Sequence, residues 1–277
     1  MWNGHFTRIS LGSLLSLAMF FAGCNMNMRA KYQRMVPLSA PLSPGSTFAA
    51  QTHNGSITTN GADVADCDMI ATITARAATE EQARELAEKI EISLEPSGDR
   101  LTAKIMKPTH LINKSVSVSL DVTVPNETNL ELETHNGSVR ITDVAGMVNA
   151  TTHNGKVTTE RVSGSTVLVT HNGSINCRET SGDAKLKTHN GSAKVFYCET
   201  APAVSDISIV TYNGSIELET PPDFSAKVEA ITNNGSINSD LGVTVSGIFS
   251  RSRLTGSIGS GEGRLYLETH NGSIRIR

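Results

Sequence analysis

Along most of this chain apolar and polar residues alternate with a period of two, the signature of strands buried on one face. The pairs Leu130/Leu132, Val148/Ala150, Thr166/Leu168, Ala184/Leu186, Ile207/Ile209, Val228/Ala230 and Leu265/Leu267 each precede a threonine by four and two residues. That threonine shares their inward face, and the residue after it points outward. It opens a phrase read THNGSI or a close variant, with copies starting at Thr52, Thr134, Thr152, Thr170, Thr188, Thr211, Thr232 and Thr269. From Thr134 to Thr188 the copies begin 18 residues apart. Five residues past the threonine an inward apolar side chain returns: Val139, Val157, Ile175, Ala193, Ile216, Ile237 and Ile274. Twelve past it, Gly146, Gly164 and Gly182 mark a second corner. The unit is therefore strand, Asn-Gly corner, strand, glycine corner.

Asn-Gly between alternating strands also suits a hairpin, which would give an antiparallel meander. A parallel β-solenoid accounts for more, because a six-residue phrase repeated almost identically is what in-register stacking selects. The corner ladder would comprise Asn54-Gly55, Asn136-Gly137, Asn154-Gly155, Asn172-Gly173, Asn190-Gly191, Asn213-Gly214, Asn234-Gly235 and Asn271-Gly272. Each asparagine would bond the next, and each glycine would supply a positive φ. With Thr255-Gly256-Ser257-Ile258 as a shortened ninth copy, the expected fold is an all-β, right-handed β-helix of eight or nine coils, roughly 40 Å long. Arg275 and Arg277 would then guard its C-terminal edge.

The N-terminal part departs from this rhythm. Residues 1–23 read as an export signal, with Arg8 ahead of an apolar run from Leu11 to Phe21. Phe21-Ala22-Gly23-Cys24 resembles the lipobox of bacterial lipoproteins, so Cys24 is the candidate lipidation site. Residues 24–46, with Pro37, Pro41 and Pro44, read as a tether. The folded part is expected over 47–277, with a helix-containing insertion at about 75–112. There Thr79-Glu80-Glu81-Gln82 has capping-box spacing, and Ala83, Leu86, Ala87 and Ile90 follow at helical intervals. That helix could cap the first coils. Strands at Glu91–Leu94 and Leu101–Ile105 flank a Pro96–Asp99 turn, and Ser115–Val124 alternates as a further strand.

Composition narrows the chemistry. Only 4% of residues are aromatic and the net charge is −3, with no basic block, so nucleic acid is excluded as a partner. Beyond Cys24 the cysteines are Cys67, Cys177 and Cys198, an odd number that cannot pair completely. Six of eight histidines, His53, His135, His153, His171, His189 and His270, occupy the outward position after the motif threonine. His135, His153, His171 and His189 lie in consecutive coils and are the candidates for a shared divalent cation. No carboxylate recurs at a fixed offset to complete such a shell, so neither metal nor other cofactor is expected. Glu131, Glu133, Glu160 and Glu179 are scattered over outward positions, and no GxSxG, HExxH or phosphate-cradling loop is present.

The runs VSLDVTVPNETNLELETHNGSVRI, ETPPDFSAKVEAITNNGSI and LTGSIGSGEGRLYLETHNGSIRIR resemble the putative-adhesin family of bacterial cell-surface proteins, a domain of unknown function. The likeness covers roughly Phe48 to Arg277, most specifically its terminal segment, and implies a secreted or lipid-anchored β-solenoid without catalytic residues to transfer. The histidines after the motif threonine and the helical insertion depart from the family pattern. The function expected is thus a non-enzymatic, exported protein held in the cell envelope by its N-terminal lipid, at the outer membrane if the cell is Gram-negative. Its structural or adhesive face would meet surface glycans or envelope proteins. The alternatives are a regulatory module sensing an envelope ligand or stress and, more remotely, a carbohydrate-active β-helix enzyme.

Overall fold

The computed structural model describes residues 30–108, 111 and 113–277; the stretch read as an export signal and Cys24 lie outside them. Two long sheets face each other, of 12 and 11 strands. The strands that end in the THN phrase form one, here the motif sheet. It contains Thr47–Asn54, Asn129–Asn136, Val148–Thr152, Thr166–Asn172, Ala184–Asn190 and Asp206–Asn213, each parallel to the next with motif threonine opposite motif threonine. The strands after the corner, such as Val139–Val144, Val157–Val162 and Ile175–Thr180, pair likewise in the return sheet. The chain is a parallel β-solenoid, not a meander, since the Asn-Gly corner sends the chain into a different sheet.

Inward positions of both sheets close on one continuous core. Leu132, Leu168, Leu186, Ile209 and Leu267 meet Val139, Val157, Ile175 and Ile216, all almost fully buried. Each such side chain contributes roughly 2 kcal/mol through removal from water. In a stack of repeats much of that burial comes from the neighbouring coils, so a single coil cannot stand alone.

Spatial order departs from chain order at the far end. Strand Gly263–Asn271, carrying the last motif, lies between Asp206–Asn213 and Ala226–Asn234, and Ile274–Ile276 lies between Ile216–Glu219 and Ile237–Ser239. Arg275 and Arg277 therefore guard no edge; Arg277 instead pairs with Glu217 at 3.4 Å. An inner position gives the last strand backbone partners on both sides, which an edge position would not. The supposed ninth copy is no coil either. Thr255–Ile258 belongs to strand Arg253–Ile258, antiparallel to Ala226–Asn234 and followed outward by Thr244–Phe249. The motif layers number eight.

At the other end, the stretch read as a tether is largely a strand. Ala30–Pro41 pairs antiparallel with Asp66–Ala77 along its whole length. Its prolines misled the sequence reading: an edge strand tolerates Pro because its outer N–H groups need no partner. Asp66–Ala77 pairs in turn with Ser115–Pro125, which runs parallel to the first return strand, Ile57–Ala62. On the motif sheet the hairpin Glu91–Ser97/Arg100–Met106 covers Thr47–Asn54. The helix Glu80–Glu88 starts at Thr79, whose hydroxyl accepts from Gln82 N at 3.3 Å, and buries Ala83, Leu86 and Ala87. It packs on the strands Ala30–Pro41 and Asp66–Ala77. Arg34 donates to the carbonyls of Ala87 and Ile90 at its C-terminal end, at 3.1 and 3.4 Å.

Candidate binding face along the motif corner

Two side-chain hydrogen bonds repeat along the Asn-Gly corners. Asparagine Nδ2 donates to Oδ1 of the neighbouring layer, from Asn136 to Asn54, Asn154 to Asn136, Asn172 to Asn154 and Asn190 to Asn172, all at 2.7–2.8 Å. The ladder continues through Asn213, Asn271 and Asn234. Most of these amides are solvent-exposed rather than buried. The motif threonine does more than fill the core: its hydroxyl donates to the corner glycine carbonyl one layer back, as from Thr170 to Gly155 at 2.9 Å and Thr188 to Gly173 at 2.8 Å.

The glycine has a different reason from the one its Asn-Gly setting suggested. Of the corner glycines only Gly55 has a positive φ, of 144°. Gly137, Gly155, Gly173, Gly191, Gly214, Gly272 and Gly235 do not, yet a Cβ on any of them would overlap the carbonyl oxygen of the adjacent layer's glycine. Close approach of backbone to backbone, not left-handed geometry, excludes a side chain. At Gly55 the carbonyl in question is that of Val118, so strand Ser115–Pro125 imitates a preceding coil.

Outward from this corner stands a column of rings. His53, His135, His153, His171, His189, Tyr212 and His270 stack in that order, with centroids 4.6–4.9 Å apart and planes within 7° of parallel. Asn233 closes the column, its Nδ2 lying 2.8 Å from Nδ1 of His270. An amide nitrogen only donates, so that ring accepts at Nδ1 and carries its proton on Nε2. The inserted strand Gly263–Asn271 is what makes the column continuous; in chain order Asn233 would separate Tyr212 from His270. Burial, then Lys107, then His135 lower the pKa of His53.

Beside the rings runs a groove of about 690 Å³, lined also by Glu133, Thr151, Val169, Lys187, Val210 and Glu268. Sequence reasoning found the histidines but not Tyr212 as their stacking partner, nor this second row. The signal was present, since each of these six residues immediately precedes a motif threonine. In-plane lone pairs of parallel rings do not converge on one cation, and among the described residues no three His, Cys, Asp or Glu side chains group as a metal site.

The remaining candidates are placed elsewhere. Glu131 is tied to Arg100 and Glu160 to Arg161, each at 2.6 Å. At the opposite corner Asp143, Arg161 and Glu179, nine residues past their threonines, have φ of 59°, 51° and 50°. Arg161 grips Asp143 with two hydrogen bonds, of 2.6 and 2.9 Å, which hold that carboxyl below its usual pKa. Cys67, Cys177 and Cys198 are free thiols. Burial pushes Cys67 and Cys177 up to about 12, which leaves them protonated and unreactive.

The repeated phrase, its two sheets and its corner coincide with a known domain. The model of the family described as Toastrack DUF4097 matches residues 47–277. This chain belongs to that family. The Toastrack match begins at Thr47, the first residue of the first motif strand, and takes in the helix-containing insertion. A search of the curated proteins found no match. Among solved structures, the chain is similar to a "putative cell adhesion protein" from Clostridium sporogenes, at 11% identity and TM-score 0.40, covering 87% of this chain and 98% of that one. It is also similar to a "putative adhesin" from Bacteroides fragilis, at 13% identity and TM-score 0.39, covering 88% and 97%. A "putative lipid binding protein" from Parabacteroides distasonis shares 10% identity at TM-score 0.35, covering 88% and 96%.

Proposed function

We propose that this Toastrack protein is exported, held to the envelope by a lipid on Cys24, and works there as a non-enzymatic adhesive surface. The observation that carries the reading is the motif sheet's outer face. It presents side chains of the same register from eight parallel layers beside one shallow groove. Such a surface suits many weak, simultaneous contacts along a repetitive partner, whose combined avidity far exceeds that of any one contact. The carboxylates Glu131 and Glu160 are engaged in exposed ion pairs rather than set opposite one another as an acid and base would be.

Fractionation and binding test this together. Cys24→Ser should move the protein from the membrane to the soluble fraction, and unchanged fractionation refutes the anchor. Purified protein should bind whole cells or a glycan panel with low affinity per site and without turnover. Recovery of a single stoichiometric protein partner from envelope crosslinking would replace adhesion by the regulatory reading, and hydrolysis of any panel polysaccharide would overturn the non-enzymatic one.

A further inference from the structure

We infer that the groove beside the ring column binds a linear acidic polysaccharide along the rod axis, and that protonation of the column switches this binding on. The inference rests on the adhesive reading of this face and names its ligand class. Seven stacked layers at strand spacing give a track roughly 30 Å long. Its fixed charges are the carboxylates of Glu133 and Glu268 against the ammonium of Lys187. With neutral imidazoles the groove is therefore slightly negative and repels an anion. Histidine is the side chain whose charge changes between pH 5 and 8. Two protonated rings are enough to reverse the sign of the lining.

Outside the groove lining, Lys107 stands by His53 at one end of the column; burial first and then its constant charge hold that ring's pKa down, so it opposes rather than aids charging there. Adjacent imidazolium rings only 4.7–4.8 Å apart repel each other. Charges on alternate rings would stand about 10 Å apart, about one Debye length at 0.1 M salt, where that repulsion is largely screened. A polymer bearing one carboxylate or sulfate per one or two sugars can follow charges so spaced.

The rest of the lining separates a glycan from other polyanions. Ring faces in the column cover one another, leaving only edges exposed, so no platform exists on which a base could stack. Glu133 and Glu268 oppose the unbroken charge of a polyphosphate but accept hydrogen bonds from sugar hydroxyls. Val169 and Val210 offer apolar contact to the C–H faces of pyranose rings.

The test is calorimetric titration of the intact protein with polygalacturonate and a sulfated galactan, with dextran, single-stranded DNA and polyphosphate as comparison arms. Both acidic glycans should bind at about pH 5.5 and bind about ten-fold more weakly at about pH 7.5. Replacing His135, His153, His171 and His189 together by Asn should remove most of the pH dependence, because only His53 and His270 then remain in the column. Asn233 already occupies the equivalent place in one coil, and circular dichroism checks that the variant folds. The inference is overturned by absent glycan binding at both pH values, by a pH dependence that the four replacements leave undiminished, or by equal binding of polyphosphate or DNA. Binding of dextran at both pH values would overturn it while leaving adhesion standing. Binding of acidic glycan by a protein that fails to attach to cells would do the reverse.

Discussion

A Cβ added to Gly173, at the Asn-Gly corner, would overlap the carbonyl oxygen of Gly155, although Gly173 has no positive φ. At the opposite corner Gly182 has φ +104°, and a Cβ there would meet the Gly164 oxygen at 2.8 Å. Both corners repeat glycine, but the first needs it for space, whereas at the second Gly164 and Gly182 also need it for conformation and Gly146 needs it for space. The distinction explains why the first corner never varies. The second adds to its glycine a left-handed residue three positions earlier, Asp143 before Gly146, Arg161 before Gly164 and Glu179 before Gly182.

The contrast can be broken by substitution. Gly173→Ala should destabilise by about 4 kcal/mol or more, because a coil fixed on both sides has no direction in which to yield. A melting temperature close to that of the parent would show the layers are further apart than described. Gly182→Ala should cost less, about 2 kcal/mol, for a strained φ and a backbone overlap that needs a smaller shift than at Gly173. If it proved the more damaging of the two, strained φ would outweigh backbone overlap at these corners.

The third change runs the opposite way. Glu179→Gly should stabilise slightly, by about 0.5 kcal/mol, because relief of a left-handed Glu outweighs the extra freedom glycine gives the unfolded chain. Chemical denaturation would detect the sign. The smallest effect belongs to Asp143→Asn. Because Arg161 holds the Asp143 carboxyl below its ordinary pKa, its stabilisation is present above about pH 4 and lost as pH falls through the lowered value. The Asn variant should lack that acid-limb step and otherwise match the parent, the pair being solvent-screened. An undiminished step would assign it to another carboxylate.

The coil, its inward positions and its asparagine column were legible because they repeat, and repetition reveals which positions stacking holds constant. Three things were not. The place of strand Gly263–Asn271 is invisible in a phrase that matches every neighbour equally well: Thr269 pairs with Thr211 or Thr232 by the same register. The edge strand Ala30–Pro41 was hidden by prolines that an interior strand would forbid. The reason for the corner glycine was obscured by a local rule, Asn-Gly as a turn, which gives way to a contact made only after coils stack. Of the candidate face, sequence showed the histidine row; Tyr212 and the row of Glu133, Val169, Lys187 and Val210 become neighbours only through the sheet.

The inserted strand also sets a problem of timing. Ala226–Asn234 is made before Gly263–Asn271, yet in the finished rod it touches Asp206–Asn213 only through that later strand. A chain that emerges from its N-terminus can therefore pair the two earlier strands directly, threonine to threonine, in an arrangement as regular as the native one. Such a pairing would have to open before the rod could close, and it would open against an intact ladder. The uniformity that makes each coil easy to add thus makes a premature coil slow to remove, and the C-terminal third should be the last part of the molecule to reach its native order.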